Sequence, residues 1–247
     1  MSYTTLITTV ATEKLPRGPH RLAREEVLAS QRGRILEGMA EAVAAKGYAA
    51  TTVAHVVARA GVSRQTFYAQ FADKEDCFLA AYEVAVDLIT GLVEQAEEGA
   101  GDWLARVRAG VHAYLETLAA EPAFARTYLV EVNAAGPRAL DRRAEVMDRF
   151  ASRHRESYAR AREELAELPP LPDAVFDGLM GASVELVARH VRDGRIGELE
   201  ELEPVLDDLL ARDFLTRESR STISGERSFR FKHVLIRDVA YAGLAKA

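Results

Sequence analysis

Hydrophobic residues recur at three- and four-residue spacing along most of this 247-residue chain, and Gly, Pro and cap residues cut the pattern into a series of helices. A helix from about Leu22, weakened by Gly33 and Gly38, presents Ile35, Met39, Ala42 and Val43 on one face and ends at Lys46 and Gly47. Thr52 is a cap residue. Behind it Val53, Val56, Val57 and Ala60 give one apolar face to a helix too short to be stable alone. Gly61 permits the left-handed backbone that reverses the chain, and Ser63 caps a second helix reaching about Gln70. From Asp73 a long helix runs toward Glu98, with Phe78, Leu79, Tyr82, Val86, Ile89 and Val93 as its inward stripe.

The same spacing resumes after the break at residues 99–102. Trp103 to Ala120 is amphipathic through Leu104, Val107, Val111, Tyr114, Leu115 and Leu118, and Pro122 starts a helix carrying Phe124, Tyr128, Leu129 and Val132 to Asn133. An arginine-rich helix over about 138–168 has Val146, Met147, Phe150, His154, Tyr158 and Leu165 on one face, and the proline-rich stretch 169–173 stops it. Asp173 caps a helix to about Arg192. A last, strongly two-faced helix from Glu198 turns Leu199, Leu202, Val205, Leu206, Leu209 and Leu210 inward. The pattern predicts an all-α protein.

Hydrophobic residues at 48% and charged residues at 28% make an ordinary globular balance, not a disordered chain. Cys77 is the only cysteine, which rules out a disulfide framework or multi-cysteine metal site within one chain and fits a reducing cytoplasm. No apolar run approaches the roughly 20 residues that cross a bilayer, and the first residues lack the basic-then-apolar order of a signal peptide. The net charge of -6 is unevenly spread: residues 1–80 carry 10 Lys/Arg against 8 Asp/Glu and residues 213–247 carry 7 against 4, leaving 81–212 at -11. A mildly basic head on an acidic body is oriented by its own field, head toward phosphates.

The helix that Ser63 starts divides into two chemical sets. Val62, Phe67 and Phe71 suit an interior, whereas Ser63, Arg64, Gln65, Thr66, Tyr68 and Gln70 keep hydrogen-bonding groups in water. Arginine bonds guanine in two places, glutamine does the same with adenine, and hydroxyls reach bases or phosphates. Tyr68 offers a phenol to phosphate, and Lys74 stands beside the N-terminus of the next helix, itself an anion-attracting end. A plain helical hairpin shares the Gly-centred turn. The ungapped run from Ile35 to Tyr82, above all GVSRQTFYAQFADKEDCFLAAY, resembles the recognition-helix signature of the TetR family of bacterial transcriptional regulators.

The resemblance implies an N-terminal three-helix helix-turn-helix DNA-binding domain over residues 21–80 and a helical ligand-binding and dimerisation domain over 81–212. Residues 1–20 precede them as a flexible basic arm whose Lys14, Arg17 and His20, with Arg21 and Arg24 just after, either follow a minor groove or stay solvated. Contacts to double-stranded DNA are expected from Thr52, Ser63, Arg64, Gln65, Thr66, Tyr68 and Lys74, with Arg32 or Arg34 on phosphate. Gly178, Gly181, Ala182, Leu202, Val205, Leu206 and Leu209 would join two protomers, so that heads about 34 Å apart read a palindromic operator. A small-molecule effector would meet Trp103, Phe124, Tyr128, Phe150, His154, Tyr158, Phe176 and Met180, side chains that serve a core equally well. The expected function is a cytoplasmic, ligand-responsive regulator, a repressor released by its effector, with no cofactor, metal or membrane partner. No HExxH, GxSxG or Cys/His pair with catalytic spacing is present, so no enzyme is expected.

Residues 213–247 depart from the family. The phrase FRFKHVLIRDVAY is similar to a fragment of the cyclase-linked and signal-transduction ATPase regulators, but the chain has no GxxxxGK[ST] phosphate loop. SGERSFRF suggests a hairpin or edge strand and KHVLIRDVAYAGLAKA a helix with Val234, Leu235, Val239 and Leu244 partly buried. An interaction module acting through this tail is the alternative reading.

Overall fold

The computed structural model describes residues 24–164, 168, 170–211, 215–217 and 229–231. The expected arm at residues 1–20 and the tail helix after residue 231 lie outside the described residues. The helices are α1 (Arg24–Lys46), α2 (Val53–Ala60), α3 (Arg64–Tyr68), α4 (Lys74–Glu98), α5 (Trp103–Ala120), α6 (Pro122–Leu129), α7 (Pro137–Glu164), α8 (Asp173–Arg192) and α9 (Glu203–Ala211). Two 3-10 turns, Glu131–Ala134 and Ile196–Leu202, follow α6 and precede α9.

Helix boundaries fall where the side chains terminate the backbone. Thr52 accepts the His55 amide at 3.4 Å while the His55 ring takes the Thr52 N–H, a reciprocal cap that closes the start of α2. Gly61 closes its end at φ 63°. Asp102 caps α5 by accepting from Ala105 N at 2.9 Å. The helix expected to begin at Glu198 starts instead as the 3-10 turn at Ile196 and becomes α-helical at Glu203, where Pro204 can take the first turn without needing its amide.

One core runs through the molecule, from Ile35, Met39, Val56, Phe67 and Phe78 in the head to Leu115, Val146, Leu179 and Leu206 in the body. Ion pairs lace α7 onto α4: Arg142 holds Glu83, and Arg153 holds Glu94 and Glu97. The long helix leaving the head is therefore gripped by the body along most of its length.

Two short strands break the all-α pattern. β1 (Leu215–Arg217) pairs antiparallel with β2 (Phe229–Phe231), Leu215 opposite Phe231 and Arg217 opposite Phe229. The FRF segment is thus the strand its sequence suggests, but its partner is Leu215–Arg217 rather than a segment of SGERSFRF.

Candidate nucleic-acid interface

The element expected to read DNA is α3, five residues with Ser63 as N-cap: the Ser63 hydroxyl oxygen accepts from Thr66 N at 3.0 Å and lies 2.9 Å from the Thr66 hydroxyl. Such a helix survives only if something outside it holds it. Phe67 does so, fully buried against Phe71 with ring centroids 5.6 Å apart. On the other side Ser63, Arg64 and Gln65 are exposed, Thr66 is half-buried, and Tyr68 keeps 57% of its surface while its ring leans edge-on against Phe67. The side chains of Arg64, Gln65 and Tyr68 make no hydrogen bond or ion pair among the described residues, so their donors remain available to a duplex. Gln70 behaves differently: it is half-buried and its amide nitrogen is sealed.

Three basic residues expected near phosphate have internal partners. The Lys74 ammonium donates to Tyr48 O at 2.9 Å and Thr51 O at 3.0 Å and sits 3.9 Å over the Tyr48 ring, leaving one of its three N–H groups. Burial moves its pKa down. Arg34 donates to Ala60 O at 3.1 Å, covering the open end of α2, and Arg32 stacks 4.5 Å over Phe71. The N-terminus of α4 is also not vacant for an anion. Asp73 already accepts from Asp76 N at 2.8 Å, and Asp76 accepts from Ala72 N at 3.0 Å.

Head and body meet at a residue the sequence did not single out. Glu131, buried at the end of α6, accepts the Tyr48 amide at 2.8 Å and pairs with Arg126 at 3.3 Å. Gly47, at φ 78°, lets that carboxylate approach: a Cβ there would lie 3.3 Å from it. Arg138 reaches Glu75 of α4 at 3.7 Å beside it. The turn 47–51 is thus held from both sides, its amide by the body and its carbonyls by Lys74. We expect Glu131→Ala to cost about 1–3 kcal/mol by leaving the buried Tyr48 N–H unpaired and to weaken the effect of any effector on DNA affinity. Denaturant melts and DNA titrations with and without effector check both.

Six of the eight aromatic, His and Met residues expected around an effector fall in two ring clusters. Phe124 stacks on Tyr128 at 5.8 Å and Tyr128 on Tyr82 at 5.4 Å. Separately, Tyr158 meets Trp103 edge-on at 5.7 Å and Phe176 at 5.6 Å, and His154 meets Phe176 at 5.9 Å. Phe150 and Met180 are half-buried and packed against the molecule's hydrophobic core. Burial drives the His154 pKa down to about 4, so its ring is neutral near pH 7. His112 is instead exposed and bonded to Glu203 at 3.1 Å, which raises its pKa. Of the residues expected between protomers, Ala182, Leu202, Leu206 and Leu209 are buried within their own chain, because α9 lies on α5 and α8. Only Gly178 and Gly181, with open space around their Cβ positions, and Val205, 42% exposed, lie where a partner could reach.

Residues 35–81 match the family model of the bacterial regulatory proteins, tetR family. The HTH-type transcriptional activator FasR of Mycolicibacterium smegmatis is 32% identical over 104 residues, 42% of this chain and 48% of that protein, so the match spans about half of the relative's length. Among solved structures, the fatty acid degradation regulator FadR from Bacillus halodurans superposes with TM-score 0.65 at 20% identity, over 72% of this chain and 97% of the other. FadR from Bacillus subtilis, in complex with stearoyl-CoA, gives TM-score 0.65 at 17% identity over 72% and 96%. No described helix is long and apolar enough to cross a membrane. Residues 35–81 are thus similar to the bacterial regulatory proteins of the tetR family, and they sit on a helical body that shares its fold with the two FadR structures.

Proposed function

We propose that this chain is an effector-controlled transcriptional regulator that reads a palindromic operator as a homodimer and binds a long-chain acyl ligand in its body. The observation that carries the DNA half is α3 itself: Arg64, Gln65 and Tyr68 exposed on one side of a helix whose other side is fixed by a fully buried Phe67. Arg64 and Gln65 read base edges; Thr52, Ser63, Thr66 and Tyr68 hold the backbone, with the remaining Lys74 N–H beside them. The outward-facing Gly178, Gly181 and Val205 support a partner contact on α8 and α9.

The acyl ligand is supported by the aromatic body and by the relatives, one a fatty acid degradation regulator and one bound to stearoyl-CoA. Magnitudes agree with that choice. Moving a two-state regulator from 1:99 to 99:1 takes about 5.5 kcal/mol of differential binding. Roughly ten buried methylenes at about 0.8 kcal/mol each exceed this, provided one arrangement of the heads encloses the chain better than the other. Release of a repressor by its effector is the arrangement we favour. FasR is named an activator, and the sign depends on where the operator lies relative to the promoter, not on the head's geometry.

Selection of bound genomic fragments tests the reading, followed by titration of the preferred site. Arg64→Ala or Gln65→Ala should cost about 1–3 kcal/mol at one base pair and relax preference there. Tyr68→Phe should weaken all sequences alike. Unchanged base preference in both Arg64→Ala and Gln65→Ala would remove α3 as the reader.

A further inference from the structure

The acyl reading leaves one cluster unexplained. Tyr82 of α4, Tyr114 of α5 and Tyr128 of α6 bring three phenols together in the interior. Tyr82 and Tyr128 stack at 5.4 Å, and the Tyr114 hydroxyl is sealed from water with no hydrogen-bond partner. A buried hydroxyl without a partner is costly, and native structures keep few of them. Burial pushes all three phenol pKa values up, that of Tyr82 to about 12, and the positive charge of Arg143 on α7 works against the rise at each. The phenols are therefore neutral hydrogen donors over the physiological range.

Arg143 differs from its neighbours on α7. Arg142 is taken by Glu83 and Glu145, Arg153 by Glu94 and Glu97, and Arg155 by Asp173 and Asp177. Arg143 is half-buried and meets no carboxylate among the described residues. Arg143 keeps part of its surface in water, and the neutral phenols leave its charge open to an anionic ligand. The cluster also lies on the head side of the body. Tyr82 is eight residues along α4 from Lys74, about 12 Å, and Tyr128 precedes by three residues the Glu131 that holds the head's turn.

We propose that Tyr82, Tyr114, Tyr128 and Arg143 form the subsite for the polar, negatively charged end of the effector, with the phenols donating to its oxygens and Arg143 balancing its charge. The proposal rests on the acyl reading above and adds to it where the ligand's charged end sits. It also gives the link to the head a short path, since an anion drawn to this cluster pulls on α4 and α6 together.

The test is a titration of the full chain with three probes of equal chain length: oleate, oleoyl-CoA and the neutral oleyl alcohol. At least one anionic probe should bind roughly tenfold more tightly than the alcohol. Arg143→Met should erase that advantage and leave alcohol binding unchanged. Tyr114→Phe should weaken the anionic probe several-fold without lowering the ligand-free melting temperature, because the lost hydroxyl had no partner; a purely structural role would move the melt instead. Preference for oleate assigns the subsite to a free carboxylate, and preference for oleoyl-CoA assigns it to a thioester with its phosphates. Alcohol binding as tight as the anions, or both variants behaving as wild type, overturns the subsite while leaving the acyl reading in place. Failure of all three probes overturns both.

Discussion

Truncating Phe67 to alanine is expected to abolish operator binding, at a cost to the head of about 3–5 kcal/mol. The residue is the fourth of a five-residue helix and has no exposed surface. A single helical turn fixes several backbone dihedrals for very few internal hydrogen bonds, so α3 has almost no stability of its own. The Ser63 cap is worth about 1 kcal/mol, too little to hold the helix without the ring that anchors it. Removing that ring takes away its contacts with Phe71 and Tyr68 and opens a cavity beneath the proposed reading face. Urea denaturation and anisotropy with labelled operator should change together. Tyr68→Ala, one position along but mostly exposed, should leave stability within about 0.5 kcal/mol while weakening DNA binding. A Phe67→Ala protein with wild-type melting and wild-type affinity would show that α3 is held by something else.

Contrast between these adjacent positions was legible from sequence because it depends on nearest neighbours. Caps at Thr52 and Ser63, the left-handed Gly61 and the inward set of Val56, Phe67 and Phe71 are local matters, and each lies where side-chain chemistry places it, whereas Asp173, expected as a cap, is the first residue of α8 behind Pro172. Interactions between distant residues were not legible. Nothing in the sequence around Glu131 says that its carboxylate meets an amide 83 residues earlier. Lys74 and Arg34 look like free cations until the fold brings backbone carbonyls to them. A two-faced α9 announces a buried face but not its partner, so Leu202, Leu206 and Leu209 read as an interface between protomers when they pack within one. The Tyr82, Tyr114 and Tyr128 cluster draws on three helices, and no window of sequence contains it.

Gly38 belongs to the same class, and it carries the second large prediction. Read along α1 it only weakens a helix, by about 1 kcal/mol relative to alanine. Across the fold, the α2 backbone runs where a side chain would be: a Cβ on Gly38 would lie 2.9 Å from Val56 O and 3.0 Å from Ala60 N. Both are backbone atoms of a hydrogen-bonded helix and cannot turn aside as a flexible side chain can. One turn earlier Arg34 reaches the Ala60 carbonyl, so the seam between α1 and α2 is set by close approach at one point and a hydrogen bond at the next. Gly38→Val should therefore cost about 3 kcal/mol, the upper end of the range for overpacking, despite raising the helix propensity of α1. It should also push α2, and α3 behind it, out of position, lowering affinity for every DNA sequence rather than at one base pair. Gly91→Ala in α4 provides the control. Nothing lies within 4 Å of a Cβ there, so only the propensity gain of up to about 1 kcal/mol should appear. Opposite signs at the two glycines, read by denaturant melts, would separate backbone contact from intrinsic propensity; equal signs would mean that α1 and α2 do not touch through Gly38.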